Sequence, residues 1–332
     1  MDENSSYIES TITKQDLPFE VPLRPQCLND FIGQETIRDR LEVLIGAAKQ
    51  RKETLGHCLF SGPPGLGKTT LANILAKAMG TNLVVSSGPV IEKPGDLAGI
   101  LTSLKTGDVL FIDEIHRLNR SIEEYLYQAM EDFTLDLIID SGPNARTVQI
   151  QLSKFTLAGA TTRLGLLSEP LRTRFSLISR LDYYSIETLV QILKRAARIL
   201  NVELDKESAL AIAKRSRGTP RVANHLLRWV RDFAQMRTNN LVNSEIVDSA
   251  LNMLAIDEKG LDEMDIKMLQ VMIDHYQGGP VGLTTIAASI GEEASTIEEV
   301  HEPYLIMQGL LKRTPRGREV TALGFQHINK AF

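Results

Sequence analysis

The chain has 332 residues, 43% of them hydrophobic and 24% charged, which is enough apolar material for two or three packed domains and too much for a disordered chain. No apolar run approaches the ~20 residues that span a bilayer, and the N-terminus has no apolar export signal, so a non-membrane, cytoplasmic protein is expected. A net charge of -5 argues against a surface that is basic all over and leaves nucleic-acid contact to a local patch.

Residues 1 to about 17 are polar and without periodicity, as in a terminal arm. Leu23-Arg24-Pro25 and Asp30-Phe31-Ile32-Gly33-Gln34 lead into an amphipathic helix whose seam is Ile37, Leu41, Leu44 and Ile45. Phe31 and Ile32 read as core rather than as a ring-binding wall. Cys27 and Cys58 stand at no metal-ligand spacing and beside apolar residues, which fits reduced thiols.

Cys58-Leu59-Phe60, then Gly62-Pro63-Pro64-Gly65-Leu66-Gly67-Lys68-Thr69-Thr70, then Leu71 to Ala78, give the strand, glycine loop and helix order of a phosphate-binding P-loop. Backbone N–H groups at the glycines, Gly65 among them, and at Thr70 wrap a triphosphate, and the helix N-terminus adds its dipole. Lys68 is placed to reach the β- and γ-phosphates and the Thr69 hydroxyl to ligate Mg²⁺, so ATP and Mg²⁺ are the expected ligands.

Val109-Leu110-Phe111-Ile112-Asp113-Glu114 is an apolar strand that ends in two acids. Asp113 suits the Mg²⁺ shell, and Glu114 can polarise a water against the γ-phosphate, so hydrolysis is expected and not binding alone. His116 reads as structural. A helix over Glu123–Phe133 follows, then a β-hairpin from Leu135 to Leu152 turning at 141–145, with an apolar face of Leu137, Ile139, Val148 and Ile150 that suits either an internal hairpin or a partner-binding arm. Phe155–Thr162 is a further buried strand, and Glu169 to Phe175 ends a short helix with two arginines.

From Ser185 the strand signal stops. Ile186–Leu200, Lys206–Arg215, Val222–Met236 and Ser244–Leu254 read as helices, with Pro220 and Arg221 at a helix start. Three more helices, Leu261–Tyr276, Thr285–Ile290 and Thr296–Met307, precede a strand pair over Leu310–Val320, the pattern of a winged helix. Lys312, Arg313, Arg316 and Arg318 crowd the wing, and Gly317 reads as letting it approach a phosphate backbone. The expected architecture is therefore an α/β nucleotide-binding domain with a parallel sheet (1–184), an all-helical lid (185–255) and a winged-helix DNA-binding head (256–332).

With these motifs in this order, the chain resembles the RuvB family of AAA+ motors that drive Holliday-junction branch migration. The resemblance rests on Gly62 to Ala72, Asp113 to Leu118, Ala129 to Phe133, Gly159 to Arg163, Gly218 to Arg221 and Arg313 to Arg318. It implies Thr162 as sensor 1, Arg174 as an arginine finger given to the neighbouring subunit and Arg221 as sensor 2. It also implies Leu23, Arg24 and Tyr184 around the adenine, and Glu131, Asp132 and Phe133 among the nucleotide contacts. Arg313 and Arg318 become DNA contacts, with Lys312 and Arg316 beside them. Implied partners are a homohexameric ring of this chain, duplex DNA and the Holliday junction, RuvA through the 135–152 hairpin, and RuvC in the resolving complex. Ser176 and Ser153-Lys154 depart from the family pattern at positions without chemistry. The rival reading is a DNA-binding protein that uses ATP only to assemble, and Glu114 with Arg174 separates the two, since only a motor needs fast hydrolysis. A protein unfoldase is a third reading, disfavoured by the winged helix.

Overall fold

The computed structural model describes residues 20–138 and 147–330. The chain divides into two compact units, Pro22–Tyr184 and a second that joins the chain from Ser185 onward with Glu20 and Val21.

The first unit is built on a five-stranded parallel sheet ordered β2-β3-β6-β1-β7, made of Cys58–Ser61 (β1), Leu83–Ser87 (β2), Val109–Asp113 (β3), Thr156–Thr161 (β6) and Leu177–Arg180 (β7). Every residue of β1 and β6 is buried, as helices on both faces of a parallel sheet require. Helix α1 (Glu35–Arg51) buries Ile37, Leu41, Ile45 and Ala48, the seam its periodicity predicts apart from the half-buried Leu44. Helices α2 (Lys68–Met79), α3 (Pro94–Ser103) and α4 (Arg120–Glu131) follow β1, β2 and β3. Strands β2 and β7 and helix α3 carry no assignment in the sequence reading. The two strands are short sheet edges whose alternating or partial burial leaves no apolar run to recognise.

The hairpin pairs Thr134–Ile138 (β4) antiparallel with Thr147–Gln151 (β5). Its expected turn, and Ile139 with it, lie outside the described residues. The apolar face is only partly free: Leu135 is fully buried and Ile150 packs against the same core, whereas Val148 is 42% exposed.

In the second unit, four helices form the lid: α6 (Ile186–Ile199), α7 (Lys206–Arg215), α8 (Pro220–Arg237) and α9 (Ser244–Asn252), α5 (Glu169–Thr173) being the last helix of the first unit. Each of the four starts at a side-chain cap, from Ser185, Asp205, Thr219 and Asn243 in turn, satisfying a first-turn N–H that would otherwise lose its partner. The head follows with α10 (Glu263–Tyr276) and α11 (Leu283–Ile290). Its third helix is interrupted, running from Ala294–Thr296 through a π-turn at Ile297–His301 into α12 (Glu302–Met307). Pro303 has no N–H to return to the preceding turn, which widens there. Strands β8 (Leu311–Thr314) and β9 (Gly317–Val320) form the wing, and α13 (Ala322–Lys330), too short for a clear period, closes the head. At Gly317, φ is 142° and a Cβ would lie 2.4 Å from the Val281 carbonyl oxygen. The backbone pairing of Val281 with Arg318 thus itself requires glycine there.

Candidate functional site

Because β6 lies between β1 and β3 and all three run parallel, their C-terminal ends bring together three stretches far apart in sequence: the glycine loop, Asp113-Glu114 and Thr161-Thr162. Ligands of open parallel sheets bind at this edge, where the strand order reverses. The loop has left-handed or positive-φ backbone at Gly62, Gly65 and Gly67, and α2 opens at Gly67 without any side-chain cap. No side-chain oxygen caps its first-turn N–H groups, and they fit a polyphosphate. The Lys68 side chain is buried in the loop, where its ammonium donates to the carbonyls of Gly62 and Pro63, both at 2.8 Å. Thr69 is half-buried beside it and Thr70 is buried. The oxygen donors Thr69 and Asp113 suit a hard divalent cation. Oδ1 of Asp113 accepts the N–H of Glu114 at 2.9 Å, which fixes the carboxylate.

Glu114 has φ 48°, a strained conformation for a side-chain-bearing residue, and such strain gathers where a group must be aimed. Thr162 Oγ1 donates to Glu114 Oε2 at 3.4 Å, and His116 Nε2 lies 3.4 Å from the same oxygen. His116 Nδ1 in turn meets Thr161 Oγ1 at 2.9 Å, and Thr161 Oγ1 accepts the N–H of Arg163 at 3.0 Å. A proton on Nε2 satisfies every partner in this chain, so His116 orients Glu114 and has more than a packing role.

On the other side of the loop, Tyr184 is buried and its hydroxyl donates to the Leu66 carbonyl at 3.1 Å. Burial pushes its pKa well up, so it remains a donor across the neutral range. Phe31 is buried against Gly67, Leu23 is buried and Arg24 is half-buried nearby in sequence. Gln34, which the sequence reading used only as a helix lead-in, ties this segment down by donating to the Asp182 carbonyl at 2.6 Å.

Arg174 ends α5. Its guanidinium donates to the Pro170 carbonyl at 2.7 Å and to Glu131 Oε2 at 3.0 Å, and it lies over the Tyr127 ring, 4.8 Å from the centroid. Glu131 is thus brought to Arg174, with the exposed Asp132 beside it in sequence. The half-buried Phe133 ring packs edge-on against Phe155, 5.9 Å between centroids, and its carbonyl accepts from Leu152 N–H and Gln151 Nε2. Arg221 lies in the second unit at the start of α8, its Nε 3.6 Å from the buried Glu20 carboxylate, which also meets His225 Nε2 at 2.7 Å. Glu20 went unread because nothing in its sequence surroundings marks it.

The wing cations are less alike than their spacing suggests. Lys312 pairs with Glu319 at 2.7 Å. Arg313 and Arg318 both grip Glu302, at 2.8 and 2.9 Å, and the Glu302 side chain is only 1% exposed. Burial alone would raise the Glu302 carboxyl, but hydrogen bonds from Arg313 and Arg318 hold it below the usual carboxylate range. Arg316 stands exposed on the turn between the strands. Arg316→Ala should therefore weaken duplex binding alike across sequences and lower the salt slope by ~1, with the melting temperature unchanged. Arg318→Ala should lower affinity and melting temperature together, because it removes one of the two cations that hold a buried carboxylate and leaves only Arg313 on it. Fluorescence anisotropy over a salt series and thermal melts check both; unchanged stability in Arg318→Ala would contradict the anchoring seen here.

Three family models cover the chain. One described as the Holliday junction DNA helicase RuvB P-loop domain matches residues 23–181, one described as the RuvB AAA lid domain matches 184–257, and one described as the RuvB C-terminal winged helix domain matches 258–329. The chain belongs to the RuvB family. It is similar to the Holliday junction branch migration complex subunit RuvB of Protochlamydia amoebophila, 76% identical over 325 residues and 98% of each chain. The RuvB subunit of Chlamydia trachomatis serovar A is 56% identical over 320 residues, 96% of each. Among solved structures, the RuvB Holliday junction branch migration motor of Thermotoga maritima is 52% identical, with a TM-score of 0.85 over 93% of this chain and 98% of that one. The AAA+ domain with its parallel sheet, the helical lid and the winged helix expected from the sequence are those of the RuvB fold.

Proposed function

We propose that this RuvB-family chain is an ATPase that assembles as a homohexameric ring on duplex DNA and drives branch migration of Holliday junctions in the cytoplasm. RuvA would dock on the 135–152 hairpin, where Val148 offers exposed apolar surface, and RuvC would join in the resolving complex. The observation that carries the hydrolytic reading is Glu114, held at the sheet edge by Thr162 and His116 beside the glycine loop.

In this reading Lys68 and the α2 N–H groups hold the phosphates of ATP, Tyr184, Leu23 and Arg24 border the base, and Thr69 with Asp113 holds Mg²⁺. The ion would neutralise phosphate charge as the terminal phosphoryl group leaves. Glu114 accepts the proton of the attacking water, with Thr162 fixing the orientation of its carboxylate. Arg174 of a neighbouring subunit offsets charge at the γ-phosphate, and Arg221 makes hydrolysis felt in the lid. Lys312, Arg313, Arg316 and Arg318 would grip DNA phosphates without reading base edges.

Glu114→Gln fills the same space but cannot take the proton. It should bind ATP with Mg²⁺ like the parent and hydrolyse it ~10² to 10⁴-fold more slowly. A fluorescent-nucleotide titration beside a phosphate-release assay decides the matter. Loss of ATP binding in the variant would make Glu114 a structural residue and remove the main support for a motor over a nucleotide-switched DNA binder.

A further inference from the structure

We propose that Tyr127 is a positioning residue for Arg174, holding the guanidinium from below and the helix that carries it from its start. The inference rests on the reading of Arg174 as a group given to the neighbouring subunit's nucleotide. Tyr127 lies on α4, where it is partly buried against the core, and it meets Arg174 in two ways. Its ring lies under the guanidinium, 4.8 Å from the Arg174 Cζ, a distance at which the ring face attracts a cation. Its hydroxyl lies 2.7 Å from Ser168 Oγ, and Ser168 is the N-cap of α5, the five-residue helix that Arg174 terminates.

The direction of the hydrogen bonds follows from the groups present. Tyr127 Oη donates its single proton to the Glu123 carboxylate at 2.8 Å, and Glu123 is only 5% exposed. The phenol oxygen is therefore the acceptor for Ser168, whose own oxygen accepts the Leu171 N–H at 3.4 Å. A continuous chain runs Leu171 N–H, Ser168, Tyr127, Glu123, each link polarising the next and ending on a buried anion. The spacing Glu123 to Tyr127 is one helical turn, so both side chains share a face of α4 and cannot shift independently. Such a short helix offers the Arg174 guanidinium only the Pro170 carbonyl, so the rest of its fixing comes from outside α5. Glu131, one further turn along α4 and 55% exposed, completes the cradle with a bond that a neighbour's phosphate can replace.

A misplacement of about 1 Å in a group that acts on the transition state lowers rate by about 10²-fold. Tyr127→Leu removes ring and hydroxyl, and should lower kcat by about that factor while ATP affinity and KM stay parental, because the variant's own glycine loop is untouched. Tyr127→Phe keeps the ring and loses the Ser168 link, and should fall between parent and Tyr127→Leu. The deciding measurement mixes Tyr127→Leu with Lys68→Ala, using labelled subunits to show exchange. Lys68→Ala subunits then supply a well-held Arg174 to the intact loop of the Tyr127 variant, and ATPase should rise above either component. Arg174→Ala mixed with Lys68→Ala is run alongside. Rescue of Arg174→Ala without rescue of Tyr127→Leu would overturn the inference, since the defect would then lie in the variant's own site. Rescue of neither would overturn the reading of Arg174 and the inference with it. Parental kcat in Tyr127→Leu would overturn the inference alone; if that variant does not fold, the same mixture with Tyr127→Phe decides.

Discussion

Arg174→Ala is expected to bind ATP like the parent and to hydrolyse it ~10³ to 10⁵-fold more slowly, the range over which a trans-acting arginine lowers the barrier to phosphoryl transfer. Within its own chain Arg174 is not directed at the glycine loop. It is held by Pro170, Glu131 and the Tyr127 ring, all outside the loop. The side chain is 23% exposed, so the guanidinium can exchange the exposed Glu131 carboxylate for a stronger anion. Lys68→Ala should be inactive for the complementary reason, since it lacks the cation inside the loop. In an equal mixture of the two variants, about a quarter of head-to-tail interfaces in a ring would join an intact Lys68 to an intact Arg174. A corresponding share of the ATPase should return. A mixture that exchanges subunits and stays inactive would count against catalysis across the interface.

Much of this site was legible in the sequence because a strand, a glycine loop and a helix must follow one another closely for the chemistry to work. Lys68 and Thr69 fall where that order puts them, and Asp113 and Glu114 fall at the end of a buried strand that composition alone identifies. What stayed hidden depends on pairing across long separations. Nothing local says that β6 inserts between β1 and β3, and only that order brings Thr162 to Glu114. Likewise, four cations close together on the wing look equivalent, although two of them neutralise Glu302 from the preceding helix. Tyr127 carried a faint signal in its one-turn spacing from Glu123. Arg217 carried none, being a left-handed residue in a turn with φ 53°.

Arg217 should nonetheless contribute strongly to the stability of the second unit. Its guanidinium is 2% exposed, donates through Nε to the Gly260 carbonyl at 2.9 Å, bonds Asp265 through NH2 and lies over the Tyr304 ring at 4.8 Å. Asp262 is 3.5 Å away, and His301 Nδ1 meets Asp265 Oδ1 at 2.7 Å. Asp262, Asp265 and His301 cluster tightly enough to hold a metal ion, but the guanidinium already supplies the cation the two acids need. Burial alone would push the Asp265 carboxyl up, and Arg217 with His301 holds it below its ordinary 3.8. Burial alone would pull the His301 imidazole down, and Asp265 with Asp262 behind it holds it above its ordinary 6.5. The guanidinium and the imidazole thus face the two acids in a buried site that joins the turn after α7 to α10 and the π-turn. Arg217→Met removes the guanidinium that both acids face, and breaking a buried pair of this kind costs about 3 to 5 kcal/mol. The melting temperature of this unit should fall by about 10 °C, while Arg217→Met combined with Asp265→Asn should recover part of the loss by removing one stranded charge. The pH dependence gives a separate sign. The contribution of His301 is full below 6.5 and is lost as pH rises through its higher folded value, so stability should decline on that alkaline side. The contribution of Asp265 is present above 3.8 and is lost as pH falls through its lower folded value. In His301→Gln the alkaline decline should flatten while the acid limb remains. An alkaline limb unchanged in His301→Gln, or parental melting in Arg217→Met, would show that packing rather than charge balance holds the lid to the head.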